Sequence, residues 1–298
     1  MSTTVPAPEA AAPPAGAVPP DEDPRVTVVV MSRNRRDELL GSLGRHRAPV
    51  VLVDNGSDDG TADAVHRAHP RVQLVPLPDN VGAHARTIGV RRAATEFVAF
   101  ADDDSWWAPG SLAAAADVLA AHPDVAVVQA RVLVGPEERL DGLCAQLPDS
   151  PLPRPAGAPG PVLLGFIACG AMVRRSAFLA AGGFDDVVRF PGEEERLALD
   201  LATAGSLIVY RDDVVVHHHP SPRRHDRAAR VAAVTRSALL TAVQRLPWTW
   251  VGRALLRAVR GGPATRAGVR AALPDLAAAL RARRVVPPHV RALRRMLE

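Results

Sequence analysis

The sequence of 298 residues contains no lysine, so its 36 basic side chains are all arginines. Because arginine titrates well above lysine, the isoelectric point of about 10.2 overstates the positive charge, and the formal net charge is only +4. No run of arginines interleaved with aromatic residues occurs, which argues against a nucleic-acid-binding surface. We therefore expect no nucleic acid partner.

Cysteine and long apolar runs are also scarce. Cys144 and Cys169 are too few for a disulfide framework and lack the spacing of metal ligands, so we expect buried thiols in a reducing compartment. The longest apolar stretch, PVLLGFIACGAMV, is too short to cross a bilayer. The Ala/Pro-rich N-terminus lacks the regions of a secretory signal. We expect a cytoplasmic protein in which residues 1–24 form a disordered leader.

The chain does contain a regular alternation of β-branched runs and helical patterns. The run VTVVVM (26–31) is typical of a parallel strand covered on both faces, and VVLVD, VQLVPL and FVAFA follow with helices between them. This alternation predicts an α/β fold with a mostly parallel sheet flanked by helices, over residues 25–225, in which SLIVY and VVVHHH are the last strands. Residues 226–298, rich in Arg, Ala and Leu, are predicted to form a C-terminal helical extension.

The stretch FVAFADDDSWW (97–107) places three adjacent acids at the end of a buried strand. An exposed charged turn is the simplest interpretation, but a solvated turn is rarely entered from FVAFA and left through SWW. Asp102 and Asp104 stand two apart, so in extended backbone their side chains point the same way. Carboxylates together with phosphate oxygens bind hard divalent cations, which neutralise a diphosphate leaving group. We interpret the acids as a cation site beside an anionic ligand.

Two other predicted strand ends carry polar clusters, Ser32 to Arg36 and Asp54 to Asp59. Ligands of open α/β sheets bind beyond the carboxyl ends of parallel strands, where these clusters would meet the three acids. Asp54 is placed to accept hydrogen bonds from a nucleobase or ribose, although a turn or capping aspartate has the same pattern. Arg86, in a helix after a glycine, is placed to pair with a phosphate, although an exposed helix face would also carry an arginine.

The segments GEEER (192–196) and VVVHHHP supply further candidates. Glutamates at the start of a helix stabilise its dipole, but Glu193 or Glu194 is also suited to act as a general base toward a hydroxyl nucleophile. Alternation along a strand sends His217 and His219 to one side and His218 to the other. One of the three histidines would complete the cation's ligand set, unless all three are simply solvated, and the pattern leaves that choice open.

The order of these motifs resembles the family 2 glycosyltransferases with the GT-A fold, of actinobacterial type. The matching segments are VTVVVMSRNR, VLVDNGSDDGT, NVGAHARTIG, FADDD, and GGFDD followed by GEEERLALDLATAG, and together they cover residues 25–220. The resemblance implies inverting transfer of a sugar from a nucleoside-diphosphate sugar to an acceptor hydroxyl, assisted by Mn²⁺ or Mg²⁺. It also implies acceptors that are often lipid-linked or part of the cell-envelope glycan.

Carried over by position, the resemblance implies roles for most of the candidates. It assigns Glu194 or Glu193 as the catalytic base and places Asp104, Asp102 and His218 at the metal. The residues that it places at the nucleotide sugar are Ser32, Arg33, Asp54, Arg86, Asp102 and Asp103.

The chain also departs from the family pattern at four positions. Thr87 replaces an Asn and Glu194 an Asp, while Arg196 and Asp200 stand where Asp and Arg are common. Because Arg196 and Asp200 are exchanged together, an ion pair of reversed polarity would be preserved. The alternative is that the exchange changes how the acceptor binds.

Two other classes of function compete with the transferase. A catalytically inactive homologue would bind the nucleotide sugar without turnover. A nucleotidyltransferase normally needs a glycine-rich loop after the first strand, and MSRNRRDE has no glycine.

A weak peripheral membrane contact is a further hypothesis. Trp248 and Trp250 precede a predicted short helix with an apolar face and flanking arginines. Packing of that helix on the core, or a dimer contact, is the alternative.

Overall fold

The computed structural model describes residues 23–220 and 226–298. Of the predicted leader, only Asp23 and Pro24 fall within the described residues, and the predicted boundary at His225 lies outside them. Asp23 is buried and accepts hydrogen bonds from Arg25, which is the residue before the first strand.

The described residues form one mixed sheet in the order β3-β2-β1-β4-β9-β6-β10-β5, with β7 beside β6 and β8 beside β10. Its strands are β1 (Val26–Ser32), β2 (Val50–Asp54), β3 (Gln73–Pro76), β4 (Phe97–Asp102), β5 (Ser105–Trp107), β6 (Val125–Val134), β7 (Arg139–Leu140), β8 (Val162–Leu163), β9 (Ala171–Arg174) and β10 (Leu207–His218). The β1–β2, β2–β3, β1–β4 and β6–β10 ladders are parallel, and the short strands add antiparallel pairs.

Helices cover both faces of the sheet and continue to the C-terminus. They are α1 (Arg36–Leu43), α2 (Thr61–Ala68), α3 (His84–Arg92), α4 (Ser111–Ala121), α5 (Arg175–Ala180), α6 (Glu194–Thr203), α7 (Arg227–Arg245), α8 (Trp248–Arg260), α9 (Pro263–Ala272), α10 (Leu276–Arg281) and α11 (Pro288–Arg295). The predicted α/β fold with flanking helices is confirmed.

Alternation along the buried strands divides the core into two layers. In β1, Val28 and Val30 face α1, α2 and α4, whereas Val29 faces α3, α5 and α6. Because both faces are covered, the strand is a continuous apolar run, as the sequence predicted.

The parallel register fixes the edge at which the polar residues meet. Ser32 of β1 lies opposite Asp54 of β2, and Met31 lies opposite Asp102 of β4. The carboxyl ends of the three central strands therefore bring Ser32, Asp54 and Asp102 into one row.

Three expectations about local structure are wrong. The segments SLIVY and VVVHHH are one strand, β10, with a register shift between Arg211 and Val215 that absorbs the polar residues between them. Helix α8 begins at Trp248, directly after Pro247, so both tryptophans belong to the helix rather than preceding it. Asp103 and Asp104 form a turn between β4 and β5, so the backbone from Asp102 to Asp104 is not extended.

The C-terminal helices share a core with the sheet domain. Leu199 of α6 packs with Leu246, the residue after α7, and with Trp250 of α8 and Val290 of α11. No helix in the ranges 23–220 and 226–298 is both long and apolar enough to traverse a bilayer.

Candidate active site

Each of the three acids at the end of β4 (Asp102, Asp103 and Asp104) faces a cationic or polar partner. Asp102 accepts a hydrogen bond from Arg86 Nη2 at 2.5 Å, and its own backbone N–H donates to Ser105 Oγ at 2.8 Å. Ser105, the first residue of β5, is fully buried, so it holds the end of β4 against the turn. Asp102 itself keeps 28% of its side chain exposed. Asp102 thus lies at the rim of the sheet with part of its carboxylate exposed.

Asp103 is turned toward β1. It accepts a hydrogen bond from Ser32 Oγ at 3.1 Å and lies 3.6 Å from Arg35 Nε. Burial raises the pKa of Asp103 to about 7, and the charges of Asp104 and Asp102 add to the shift, while Arg35 opposes it. A buried carboxyl between two other acids has an excess of negative charge that a bound cation would relieve.

Asp104 faces the last long strand. Its Oδ1 lies 3.3 Å from His218 Nε2, and its Oδ2 lies 3.4 Å from Arg35 Nη2. Burial lowers the pKa of His218, but the hydrogen bond that His218 donates to Asp104 and the charges of the nearby acids outweigh this effect and leave that pKa raised. Among the three adjacent histidines, His218 is therefore the one directed at the acids.

The two neighbouring histidines point the other way, as alternation along the strand predicted. His217 stacks on Trp106 with ring centroids 5.5 Å apart, and His219 meets the same ring edge-on at 4.7 Å. The Arg45 guanidinium covers the Trp106 ring at 4.1 Å. Trp106 thus packs against His217 and His219 at the end of β10. Trp107 is buried, and its Nε1 donates a hydrogen bond to Phe100 O at 3.0 Å.

At the end of β2, Asp54 is buried and accepts a hydrogen bond from the Ser57 backbone N–H at 3.1 Å. Arg33 is exposed, and its Nε donates to Gly56 O at 3.3 Å. Arg33 therefore borders the loop after β2, whereas Arg35, two residues later, reaches the acids. Sequence reasoning did not single out Arg35, although it lies within the polar cluster after β1.

Arg86 is one of the most buried side chains of the protein, with 1% exposed. It bridges Asp102 and Glu193, whose Oε1 accepts from Nη1 at 3.1 Å. The alternative interpretation, in which Arg86 lies on an exposed helix face, is therefore wrong. The predicted pairing of Arg86 with a phosphate stays a prediction, because each Nη atom has two N–H donors and makes one of these contacts. Its Nε and Glu193 Oε2 have no hydrogen-bond partner among the described residues.

The two glutamates at the start of α6 differ in their access to solvent. Glu193 is 1% exposed, and burial together with the charge of Glu194 raises its pKa to about 8 against the opposing effect of Arg86. Glu194 is half-buried, and burial raises its pKa as well. Of these two glutamates, only Glu194 is partly exposed to solvent.

The GGFDD turn holds the start of α6 in place. Thr87 Oγ1 donates to Phe184 O at 2.9 Å and accepts from Phe184 N at 2.8 Å, so this threonine ties α3 to the turn. Gly183 has φ +60°, and a Cβ there would meet Thr87 Oγ1 at 2.6 Å, so only glycine fits. The Arg196 guanidinium donates to Gly183 O.

The exchanged pair in α6 forms the ion pair that the swap allowed. Arg196 Nη1 lies 2.6 Å from Asp200 Oδ2, and Arg245 of α7 also binds Asp200, with Nε 2.5 Å from Oδ1. This departure from the family pattern is compensated within the fold and does not expose an unpaired charge at the site.

Comparison with known proteins identifies the family. The family model described as "Glycosyl transferase family 2" matches residues 27–180, which include β1, the acids and the turn before β5. The chain belongs to glycosyl transferase family 2. It is therefore a glycosyltransferase, and the predicted family is confirmed.

Curated relatives of this glycosyltransferase come from Mycobacterium tuberculosis. The N-acetylglucosaminyl-diphospho-decaprenol L-rhamnosyltransferase is 29% identical over 82% of this chain and 91% of its own length. The pre-mycofactocin glycosyltransferase is 31% identical over 74% of this chain, which spans 48% of that relative. The resemblance to glycosyltransferases of actinobacterial type is confirmed.

Solved structures confirm the GT-A fold. The mannosyltransferase PcManGT from Pyrobaculum calidifontis, in complex with GDP-Man and Mn²⁺, has a TM-score of 0.56 at 25% identity and covers 89% of this chain and 76% of its own. The S. aureus TarS structure (1-349) matches at a TM-score of 0.56 over 90% of this chain and 83% of its own, and at 17% identity it shows the fold alone.

Proposed function

We propose that this glycosyltransferase moves a sugar with inversion from a nucleoside-diphosphate sugar to an acceptor hydroxyl, with a divalent cation and Glu194 as general base. The observation that carries the proposal is the meeting of Asp54, the three acids after β4 and His218 at the carboxyl edge of the sheet, beside the start of α6. Ligands bind at this edge in open α/β sheets.

The residues present fit a hard divalent cation. Asp104 and His218 already approach each other to 3.3 Å, and Asp102 presents a partly exposed carboxylate beside them. Carboxylate oxygens are the ligands that Mg²⁺ and Mn²⁺ prefer, and three adjacent aspartates lie here. When bound, the cation supplies charge neutralisation for the diphosphate that leaves. PcManGT was solved with Mn²⁺ and GDP-Man, which supports this assignment by analogy.

We assign the base to Glu194 and a positioning role to Glu193. A general base must come within hydrogen-bond reach of the hydroxyl that it deprotonates, and Glu193 is too buried for that contact. Glu193 instead holds Arg86, which in turn holds Asp102. The raised pKa of Glu194 suits a base, because a carboxylate of higher pKa takes up a proton more readily.

The nucleotide half of the donor is proposed to bind at the ends of β1 and β2. Asp54 would accept a hydrogen bond from the base or ribose, and Arg33 lies exposed at the rim of the same loop. Ser32 and Asp103, which are hydrogen-bonded to each other, would line the site between this region and the cation. The domains proposed are the sheet domain over residues 25–225 and the helical extension over 226–298.

We propose that the acceptor is a lipid-linked sugar presented at a membrane surface. The relative from M. tuberculosis acts on a diphospho-decaprenol-linked sugar by its name. On α8, Trp248, Leu255, Leu256 and Val259 expose 58%, 42%, 48% and 45% of their surface, although Trp250 is buried in the core. Arginines of the same helix lie beside this apolar surface, an arrangement suited to anionic headgroups. A groove of about 610 Å³, lined mainly by residues of α7 and α8, adjoins this surface at Leu256.

The test is a screen of nucleotide sugars by thermal shift with and without Mn²⁺, followed by turnover of the donors that bind. A donor that stabilises the protein only with Mn²⁺, and that releases nucleoside diphosphate when a lipid-linked acceptor is added, supports the proposal. Binding of a donor without any release, across lipid-linked and free sugar acceptors, would instead establish a catalytically inactive nucleotide-sugar-binding protein.

A further inference from the structure

One buried thiol lies against the proposed cation site and has no role in the chemistry described so far. Ligand atoms of Asp102, Cys169 and His218 all lie within 4.8 Å of one another. They come from three separate elements, namely the end of β4, the 3₁₀ turn Ala168–Gly170 before β9, and the end of β10. The three side chains therefore converge through the fold rather than through sequence proximity.

The distances between these three ligand atoms are close to those between neighbouring ligand atoms around a bound metal ion. Bond lengths of about 2.0–2.3 Å around a tetrahedral ion place neighbouring ligand atoms roughly 3.3–3.6 Å apart. From the 4.8 Å limit the cluster needs a contraction of at most about 1.5 Å. Asp102 and His218 are partly exposed, and rotation of these side chains away from Arg86 and Asp104 would supply it. Cys169 is 3% exposed, so the fixed ligand is the sulfur and the two movable ligands close on it.

The chemistry of the three donors differs from that of an all-oxygen site. Thiolate and imidazole favour zinc and other borderline-soft ions, whereas Mg²⁺ prefers oxygen. We propose that Cys169 joins Asp102 and His218 in a mixed carboxylate, imidazole and thiolate site that binds Zn²⁺ and Co²⁺ in preference to Mg²⁺. The inference rests on the proposed cation site and deepens it, because Cys169 makes that site selective among divalent ions.

Ion binding at this site couples to a proton. On binding, the thiol releases its proton to solvent as the sulfur–metal bond forms.

The experiment uses the full-length, metal-free protein titrated with Co²⁺ in the absence of nucleotide. A thiolate bound to Co²⁺ gives a sulfur-to-metal charge-transfer absorption in the near ultraviolet, which carboxylates and imidazole do not give. The chain offers a matched control, because Cys144 is its second buried free cysteine and contacts Val132 and Ala130 instead. We expect the absorption in the wild type and in Cys144→Ser, and its loss in Cys169→Ser and Cys169→Ala.

Affinity provides a second measurement. Competition with a chelating dye should show Zn²⁺ bound at least about tenfold more weakly by Cys169→Ser than by the wild type, since even second-shell losses cost about 10–100-fold. Should the variants fold poorly, alkylation of the wild type read by peptide mass spectrometry replaces them. Zn²⁺ should then slow modification of Cys169 and leave that of Cys144 unchanged.

The outcomes separate this inference from the proposed function. A wild type that turns over its donor with Mn²⁺ but shows no cobalt–thiolate absorption overturns the inference alone. Absorption that persists in Cys169→Ser, or that disappears in Cys144→Ser, also overturns it. A cobalt–thiolate absorption in a protein that transfers no sugar supports the metal site and contradicts the proposed function.

Discussion

Replacement of Arg86 by methionine tests how the candidate site is held together. The guanidinium is 1% exposed and binds Asp102 at 2.5 Å and Glu193 at 3.1 Å, so Arg86→Met leaves a buried carboxyl without its cation. At pH 9, where Glu193 is charged in the wild type, breaking one side of this buried ion pair costs about 3–5 kcal/mol. At about 2–4 °C of Tm per kcal/mol for a domain of this size, Tm should fall by roughly 6–20 °C.

The pH dependence makes this prediction specific to Glu193. Its pKa is already raised to about 8, and the loss of Arg86 raises that pKa further. A carboxyl whose folded pKa exceeds its unfolded pKa contributes stability at low pH and loses it as the pH rises through the folded value. The cost of Arg86→Met should therefore be larger at pH 9 than at pH 6, where Glu193 is protonated in both proteins.

Urea unfolding followed by circular dichroism at the two pH values measures this difference. The double variant Arg86→Met/Glu193→Gln should recover stability at pH 9 relative to Arg86→Met, because the buried charge is gone. The control is Arg36→Met, which removes an exposed ion pair with Asp37 and should cost less than about 1 kcal/mol. An equal cost of Arg86→Met at pH 6 and pH 9, without rescue by the double variant, would refute the reasoning.

Three further predictions concern catalysis, titration and the membrane. Glu194→Gln should lower kcat by about two or more orders of magnitude at unchanged donor affinity, whereas a larger loss in Glu193→Gln would move the base by one residue. Because burial raises the pKa of Asp103 to about 7, wild-type stability should decline as the pH rises through that value, and Asp103→Asn should flatten this decline in a Tm series from pH 5 to 8. The protein should co-sediment with anionic liposomes at low salt and less at moderate salt, and Leu256→Asp should weaken this binding. Wild type that stays in the supernatant at both salt concentrations would make α8 purely structural.

The row of polar residues at the sheet edge was predictable from the sequence. The apolar runs of β1, β2 and β4 each end in a polar cluster, and parallel strands bring their carboxyl ends together. The spacing of the histidines likewise predicted that His218 and its neighbours face opposite sides. These inferences depend only on strand periodicity and on the rules for parallel sheets.

The partners of Arg86 and the position of Cys169 were not predictable in the same way. Arg86 and Glu193 are 107 residues apart, and their contact depends on how the GGFDD turn is tied to α3 through Thr87. Cys169 lies in an apolar stretch with no ligand-like spacing, and only the meeting of three elements brings its sulfur to Asp102. The polar residues between Arg211 and Val215 were interpreted as a break between two strands. A β-bulge within one strand and the end of a strand both place polar residues in the sequence, so the pattern does not distinguish them.

The central claim, a cation-dependent transfer from a nucleotide sugar at the acids after β4, is tested most directly by nucleoside diphosphate release. The assay uses the donor selected by thermal shift, a lipid-linked acceptor and Mn²⁺, with the wild type compared to Asp104→Asn, which removes one charge and little volume. We expect release by the wild type, its loss in excess EDTA, its return with added Mn²⁺, and no release by a folded Asp104→Asn. Release at the wild-type rate in excess EDTA, or by Asp104→Asn, would contradict the account.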